Sequence, residues 1–193
     1  MSQPTTTHNY TTTGLDSRKL GMWIFLATEV MLFSSLISGF LQMQARSPAG
    51  ANHVLNIPLT AVNTFILICS SLTVVMALSA IQDGDQKKLR AFLLATLALG
   101  ATFLGIQIFE YRHLIVGEGF TPAGSLFGAG FFTVTGFHGF HVFIGLIWCA
   151  WLILQAMAGR FTTAEHMRVE IFGLYWHFVD VVWIILFTLI YLL

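Results

Sequence analysis

The sequence predicts an all-α membrane protein, built as a bundle of five transmembrane helices. Only 9% of the 193 residues are charged and 56% are hydrophobic, whereas soluble proteins carry about 25% charged residues. Five apolar stretches each approach or exceed the roughly 20 residues that a helix needs to cross a bilayer. The basic residues gather between these stretches and at their ends, as they do in polytopic membrane proteins.

The helices are predicted at about residues 20–42, 57–81, 89–113, 127–157 and 171–193. The fourth is longer than a crossing requires, so it is expected to tilt or to project from one face. No two stretches are copies of each other, and inverted repeats of the transporter kind are therefore not expected.

The chain is predicted to have one membrane domain, residues 20–193, preceded by a tail. Residues 1–19 are polar and rich in threonine. They hold no basic cluster ahead of an apolar core, so they are not a secretory signal. We expect a disordered cytoplasmic tail.

The distribution of basic residues predicts the orientation. Seven lie on one side of the predicted helices and two, Arg46 and Arg112, on the other. The seven are Arg18, Lys19, Lys87, Lys88, Arg90, Arg160 and Arg168. The positive-inside rule then puts the N-terminus in the cytoplasm and the C-terminus outside. Because the net charge is zero, nothing in the composition suggests a nucleic-acid partner.

Two carboxyl residues, Glu29 and Asp180, fall at similar depth near the middle of the first and fifth helices. An ionised carboxylate there is costly unless it is paired. His177 precedes Asp180 by three residues on the same face, so Asp180 is expected to be a structural carboxyl that bonds to His177 or to a neighbouring helix. Glu29 has no such partner in its helix and no basic residue at similar depth elsewhere. It is predicted to be a protonated, functional carboxyl.

Two histidines, His138 and His141, share one face of the fourth helix because they are three residues apart. A metal site in a bundle needs ligands that converge from several helices. His177 is a third candidate, but it is expected in the inner half of the membrane and the other two in the outer half. The prediction is therefore that the histidines contact neighbouring helices or lipid head groups, without a metal.

Two further functions remain open from these residues. A bis-histidine membrane cytochrome would use His138 or His141 together with His177 as heme ligands. A proton-coupled transporter would use Glu29 and Asp180, although unbroken helices without repeats are not typical of one.

Other polar or reactive residues are predicted to be structural. Cys69 and Cys149 lie inside apolar stretches and are expected to be inert thiols without a disulfide. A polar group at the end of the third helix is expected to form a cap at the membrane interface; it consists of Gln107, Glu110, Tyr111, Arg112 and His113. The sequence has no phosphate-binding glycine loop and no Ser–His–Asp arrangement, so kinase and hydrolase functions are not predicted.

Three long motifs resemble subunit III of the heme–copper terminal oxidases. They are GMWIFLATEVMLF (Gly21–Phe33), TGFHGFHVFIG (Thr135–Gly145) and GLYWHFVDVVW (Gly173–Trp183). The resemblance follows the five helices in order, from Gly21 to the end of the chain.

The resemblance implies a non-redox subunit of a proton-pumping oxidoreductase complex in the bacterial plasma membrane. In that family heme and copper lie in partner subunits, subunit III packs against subunit I, and subunit II belongs to the same complex. Phospholipid occupies the helix cleft. Glu29 is similar to the family's carbodiimide-reactive carboxyl, which sustains proton uptake and stability of subunit I. His138 and His141 would then contact lipid and neighbouring helices.

The electron donor is predicted to be cytochrome c. Glu29 and YWHFVDVVW (Tyr175–Trp183) resemble cytochrome c oxidases more closely, whereas YRHLIVGEGFTPAGS (Tyr111–Ser125) is more similar to quinol oxidases. A quinol oxidase is the alternative. The chain lacks the two additional N-terminal helices of the seven-helix members of the family.

Overall fold

A computed structural model describes residues 16–48, 55–161 and 166–193 of the chain. Every element in these ranges is helical. The helices are α1 (Ser17–Ala45), α2 (Ile57–Gln82), α3 (Gln86–Arg112), α4 (Leu126–Met157) and α5 (Met167–Phe187). Short π-helical turns follow α3 at His113–Gly117 and α5 at Thr188–Leu192. The predicted all-α class with five helices is confirmed.

Each of the five helices is long and apolar enough to span a bilayer. The longest, α4, has 32 residues, and a rise of 1.5 Å per residue makes it about 48 Å long. That length exceeds the roughly 30 Å of hydrocarbon in a bilayer, so part of α4 extends beyond the hydrocarbon or the helix tilts.

Two helices, α1 and α3, begin three residues before the predicted positions because polar residues cap them. Asp16 accepts a hydrogen bond from the Arg18 backbone N–H, and Asp85 accepts from the N–H groups of Lys87 and Lys88. Such side chains satisfy backbone donors that have no partner inside the helix. Residues 17–19, assigned to the tail by the sequence, therefore belong to α1, while residues 1–15 of the predicted tail lie outside the described residues.

The helices pack as a core of four with α1 on the outside. α2 and α3 form an antiparallel hairpin, α5 lies against α2, and α4 lies against α3. α1 contacts α4 and α5. The share of the membrane span that is buried is 17% in α1 and 50% in α5, so most of α1 faces lipid or a partner.

Trp176 is one of the two largest fully buried side chains of the bundle. A Cβ atom at Gly145 would lie 2.6 Å from its ring, and one at Gly100 would lie 2.9 Å from it. Glycine at both positions therefore lets α3 and α4 approach the indole. Its Nε1 donates to Ser70 Oγ at 2.9 Å, which ties α5 to α2.

The two ends of the bundle are chemically different. Lys19 and Glu170 form an ion pair at 2.5 Å between the starts of α1 and α5, and we call this the Glu170 end. At the opposite end, α3 finishes near Glu110 and α4 begins. This Glu110 end holds a buried polar network.

Candidate functional site

Glu29 and His141 form a pair between α1 and α4. His141 Nε2 lies 3.0 Å from Glu29 Oε2, and the side chains are 9% and 14% exposed, respectively. The sequence predicted no basic partner for Glu29. That expectation is wrong, because the structure brings His141 of α4 beside it at the same depth.

The hydrogen bonds of His141 define where a proton lies. Its Nδ1 is 2.7 Å from the carbonyl oxygen of Phe137; because a carbonyl only accepts, Nδ1 donates. One further proton then lies between Nε2 and Oε2, either on a neutral carboxyl that donates to the imidazole or on an imidazolium that donates to a carboxylate. The pair has no net charge in either form, which lowers the cost of placing it in the membrane.

Aromatic rings surround this pair. Phe33 packs edge-on against the His141 ring at 5.1 Å, and Phe140 is 6.2 Å from it. The hydroxyl group of Tyr175 donates to the carbonyl oxygen of His141 at 2.9 Å, so α5 also holds this part of α4 in place. Because α1 is the outer helix of the bundle and the Glu29 side chain remains 14% exposed, we expect that a reagent dissolved in lipid can approach the carboxyl.

His138 points into the core instead. Its ring stacks on Trp183 at 4.8 Å and meets Phe103 edge-on at 5.9 Å. It is fully buried, and neither ring nitrogen has a hydrogen-bond partner among the described residues. The two histidines of α4 thus have different surroundings, which their shared helix face did not predict.

Asp180 and His177 are not hydrogen-bonded to each other. His177 Nδ1 bonds to the hydroxyl of Ser71 on α2. Asp180 is 4% exposed; its carboxyl oxygens make no hydrogen bond of good geometry in the part of the chain that the structure describes, although the Ser71 hydroxyl of α2 lies close enough to interact with them. The predicted Asp180–His177 bond is therefore wrong, because Ser71 competes for the imidazole.

Gln107 and Glu110 are buried network residues rather than an interfacial cap. Glu110 Oε1 accepts from Thr60 at 3.1 Å and from the Tyr191 hydroxyl at 3.2 Å. Gln107 Nε2 donates to the carbonyl oxygen of Thr135 at 3.0 Å.

The spacing of buried residues along α3 could have identified this burial. Thr96, Gly100, Phe103, Gln107 and Glu110 follow one another at intervals of four and three residues, which is the spacing of a single buried stripe. A cavity of about 220 Å³ opens beside this stripe, lined by Asn56, Leu59, Phe109, Glu110, His113 and Leu114.

The histidines are poorly arranged for heme or metal binding. Within the described residues there is no group of three or more His, Cys, Asp or Glu that could hold a metal ion. A heme between His138 and His177 would displace the Trp183 and Phe103 rings, and His141 already uses both ring nitrogens. Cys69 and Cys149 form no disulfide, as expected.

Comparisons with known proteins give a consistent family. The model of the family described as cytochrome c oxidase subunit III matches residues 1–193. A quinol oxidase subunit 3 from Bacillus spizizenii is 39% identical over 176 residues, covering 90% of this chain and 86% of its own length. A cytochrome c oxidase subunit 3 from Bacillus subtilis is 37% identical over 177 residues, which cover 90% of this chain and 85% of that protein. A cytochrome c oxidase subunit 3 from Thermostichus vulcanus is 38% identical over 183 residues, which cover 92% of this chain and 88% of that protein.

Proposed function

This chain belongs to the cytochrome c oxidase subunit III family, and from that membership we propose that it is the non-redox subunit III of a proton-pumping heme–copper terminal oxidase. It is a multi-pass protein of the bacterial plasma membrane. The observation that carries the proposal is the match of the family over the whole chain together with five membrane helices. Heme and copper would reside in subunit I and its partners, and this chain would support the complex.

Glu29 and His141 are the residues that we propose to act in proton transfer. A carboxyl and an imidazole 3.0 Å apart can pass a proton from one to the other without changing the net charge of the pair. Their position at the edge of the bundle supports a role toward a neighbouring subunit or lipid. In this role the pair would help to sustain proton uptake by subunit I.

The outside of α1 and α4 is the surface that we propose to meet phospholipid and subunit I, with subunit II in the same complex. Trp23, Ile24 and Met31 on α1 are exposed. An apolar groove of about 470 Å³ runs along α4; its lining includes Phe132, Gly136 and Phe140. Apolar rings beside a glycine groove suit acyl chains or an apolar helix.

Cytochrome c is the donor that we propose, and quinol is the alternative. Relatives of both classes are similarly close, at 39% for a quinol oxidase subunit and 37% for a cytochrome c oxidase subunit from related bacilli. The Glu29 motif and the Tyr175–Trp183 motif support cytochrome c. We further propose that the Glu170 end faces the cytoplasm, because the basic residues concentrate there.

Removal of this chain from the oxidase tests the proposal. The complex without it should retain its heme content and its initial rate of oxygen consumption, because no redox centre is lost. It should lose activity over successive turnovers, while the complete complex remains active. Loss of heme on removal of this chain would contradict the proposed role, as would a stable assembly of this chain that contains no heme subunit.

A further inference from the structure

Four buried polar side chains in the centre of the bundle have atoms without hydrogen-bond partners. They come from four different helices: Asn63 from α2, Gln107 from α3, His138 from α4 and Asp180 from α5. None is more than 4% exposed. The unpaired atoms are Asn63 Oδ1, Gln107 Oε1, both ring nitrogens of His138 and both carboxyl oxygens of Asp180.

These four side chains, which we call the central polar cluster, lie around two aromatic rings. Phe103 and Trp183 meet at 4.9 Å, and His138 contacts both rings. Asn63 Nδ2 donates to the carbonyl oxygen of Phe103 at 3.1 Å. Gln107 and Asp180 lie one helical turn from Phe103 and Trp183, respectively. The unpaired atoms thus belong to one region rather than to four separate defects.

The central polar cluster has too few hydrogen-bond donors for its acceptors. The unpaired oxygens of Asn63 and Gln107 only accept hydrogen bonds, and neutral His138 offers one donor and one acceptor. Asp180 offers at most one donor. Acceptors therefore outnumber donors, and the four side chains cannot satisfy one another by any rotation. Buried polar groups in native proteins are paired, and ordered water is the usual partner when protein atoms do not supply one.

A continuous series of polar contacts connects the cluster with the cavity at the Glu110 end. Glu110 lines this cavity and accepts a hydrogen bond from Thr60. The hydroxyl of Thr64 donates to the Thr60 carbonyl at 2.8 Å and accepts from Trp183 Nε1 at 2.9 Å. Toward the Glu170 end the path is closed, because Trp176 fills the space against Gly100 and Gly145.

We propose that α2, α3, α4 and α5 enclose a water-accessible channel that opens at the Glu110 cavity and ends blind at Asp180. Water molecules donate to the unpaired oxygens of the central polar cluster and bond to His138. Asp180 exchanges its proton with water at the Glu110 end. The channel is separate from the Glu29–His141 pair, and the inference stands whether or not the chain serves an oxidase.

Thiol reactivity tests the channel. In the full-length chain in native membranes, with Cys69→Ser and Cys149→Ala, a single cysteine is introduced as Asn63→Cys or, on the same helix but beyond the closure at Trp176, as Val74→Cys. Both positions are 1% exposed. A small water-soluble methanethiosulfonate reacts with the thiolate, which forms only in contact with water. We expect Asn63→Cys to react at least about tenfold faster than Val74→Cys. Equal rates would overturn the proposal.

A second measurement leaves the side chains unchanged. In an experimental structure of the wild-type protein at a resolution that shows ordered water, density should lie within about 3.2 Å of His138 and Asp180. Direct side-chain packing around these atoms, without density between them, would refute the channel even if the cysteine variants failed to fold.

Discussion

Glu29 and Asp180 are both carboxyl residues in the middle of membrane helices, yet their surroundings are opposite. Glu29 lies at the edge of the bundle, is 14% exposed and is hydrogen-bonded to His141. Asp180 lies in the centre, is 4% exposed and makes no hydrogen bond of good geometry among the described residues. The sequence predicted the reverse, a partner for Asp180 and none for Glu29.

The difference shows that depth in the membrane alone does not define the role of a carboxyl group. A paired carboxyl at the edge can be reached from lipid and can pass a proton to its imidazole partner. An unpaired carboxyl in the centre of the bundle is shielded from lipid. Its hydrogen bonds must come from water or from side chains that lie beside it. The two residues should therefore respond differently to reagents and to substitution.

The largest expected difference is in labelling by a hydrophobic carbodiimide. Such reagents react with protonated carboxyls that they reach from the apolar phase, and Glu29 is accessible there. We expect Glu29→Gln to abolish labelling of the chain, as measured by mass spectrometry of the modified peptide, while the variant still assembles. Asp180→Asn is the matched control and should label like wild type. If labelling persisted in Glu29→Gln and were lost in Asp180→Asn, then Asp180, and not Glu29, would be the carboxyl that the reagent reaches from lipid.

A change in packing near the core should have the next largest effect. Gly145→Leu places a side chain where Trp176 already lies, since even a Cβ atom would be 2.6 Å from its ring. Overpacking of this kind costs about 1–3 kcal/mol, so the yield of assembled protein should fall severalfold. Gly105→Leu on α3 is the control, because a Cβ atom there meets nothing within 4 Å. Equal yields of the two variants would show that the core tolerates movement of Trp176.

Two substitutions of Asp180 should separate the contribution of its side-chain shape to stability from the contribution of its hydrogen bonding. Asp180→Asn keeps the shape, and because polar contacts in membranes average about 0.6 kcal/mol, thermal stability should change little. Asp180→Leu removes the carboxyl group that would bind the channel water and replaces it with an apolar side chain, so stability should fall further. Thermal unfolding in detergent measures both variants. If Asp180→Leu equalled wild type, the residue would have no structural role.

The smallest effect is expected for a third carboxyl, Asp85, which is exposed at the start of α3. Hydrogen bonds from the backbone N–H and the side chain of Lys88 lower the pKa of Asp85. Because its pKa is lower in the folded state, its stabilising effect is present above the unfolded pKa, near 3.9, and is lost as the pH falls through the folded pKa. Asp85→Ala should speed amide hydrogen exchange of Lys87 and Lys88 at neutral pH, and the protection factors of these two amides should no longer fall when the pH is lowered.

Asp83 provides the control for this substitution. Its side chain forms no hydrogen bond within the described part of the chain, although it lies only two residues from Asp85. Asp83→Ala should therefore leave the exchange of the first amides of α3 unchanged. If both variants exchanged equally fast, the cap would contribute nothing to the start of the helix.

The sequence by itself determined the number, order and approximate bounds of the five helices. Hydropathy and length are local properties, so each apolar stretch indicates its own membrane span regardless of its neighbours. The observed ends differ from the predicted ones by a few residues, and at the starts of α1 and α3 the reason is that the polar caps Asp16 and Asp85 extend the helix past its apolar part. The three motifs also predicted the family correctly, because each preserves a long run of specific residues.

Only the tertiary structure decided which polar side chains meet. The pairing of Glu29 with His141, the isolation of Asp180 and the burial of Glu110 all depend on how each helix is rotated and how far it is shifted along its neighbours. One turn of a helix is 5.4 Å, so a shift of that size exchanges one set of partners for another. Contacts such as Trp176 against Gly145 set these shifts, and they arise between helices rather than within any one of them.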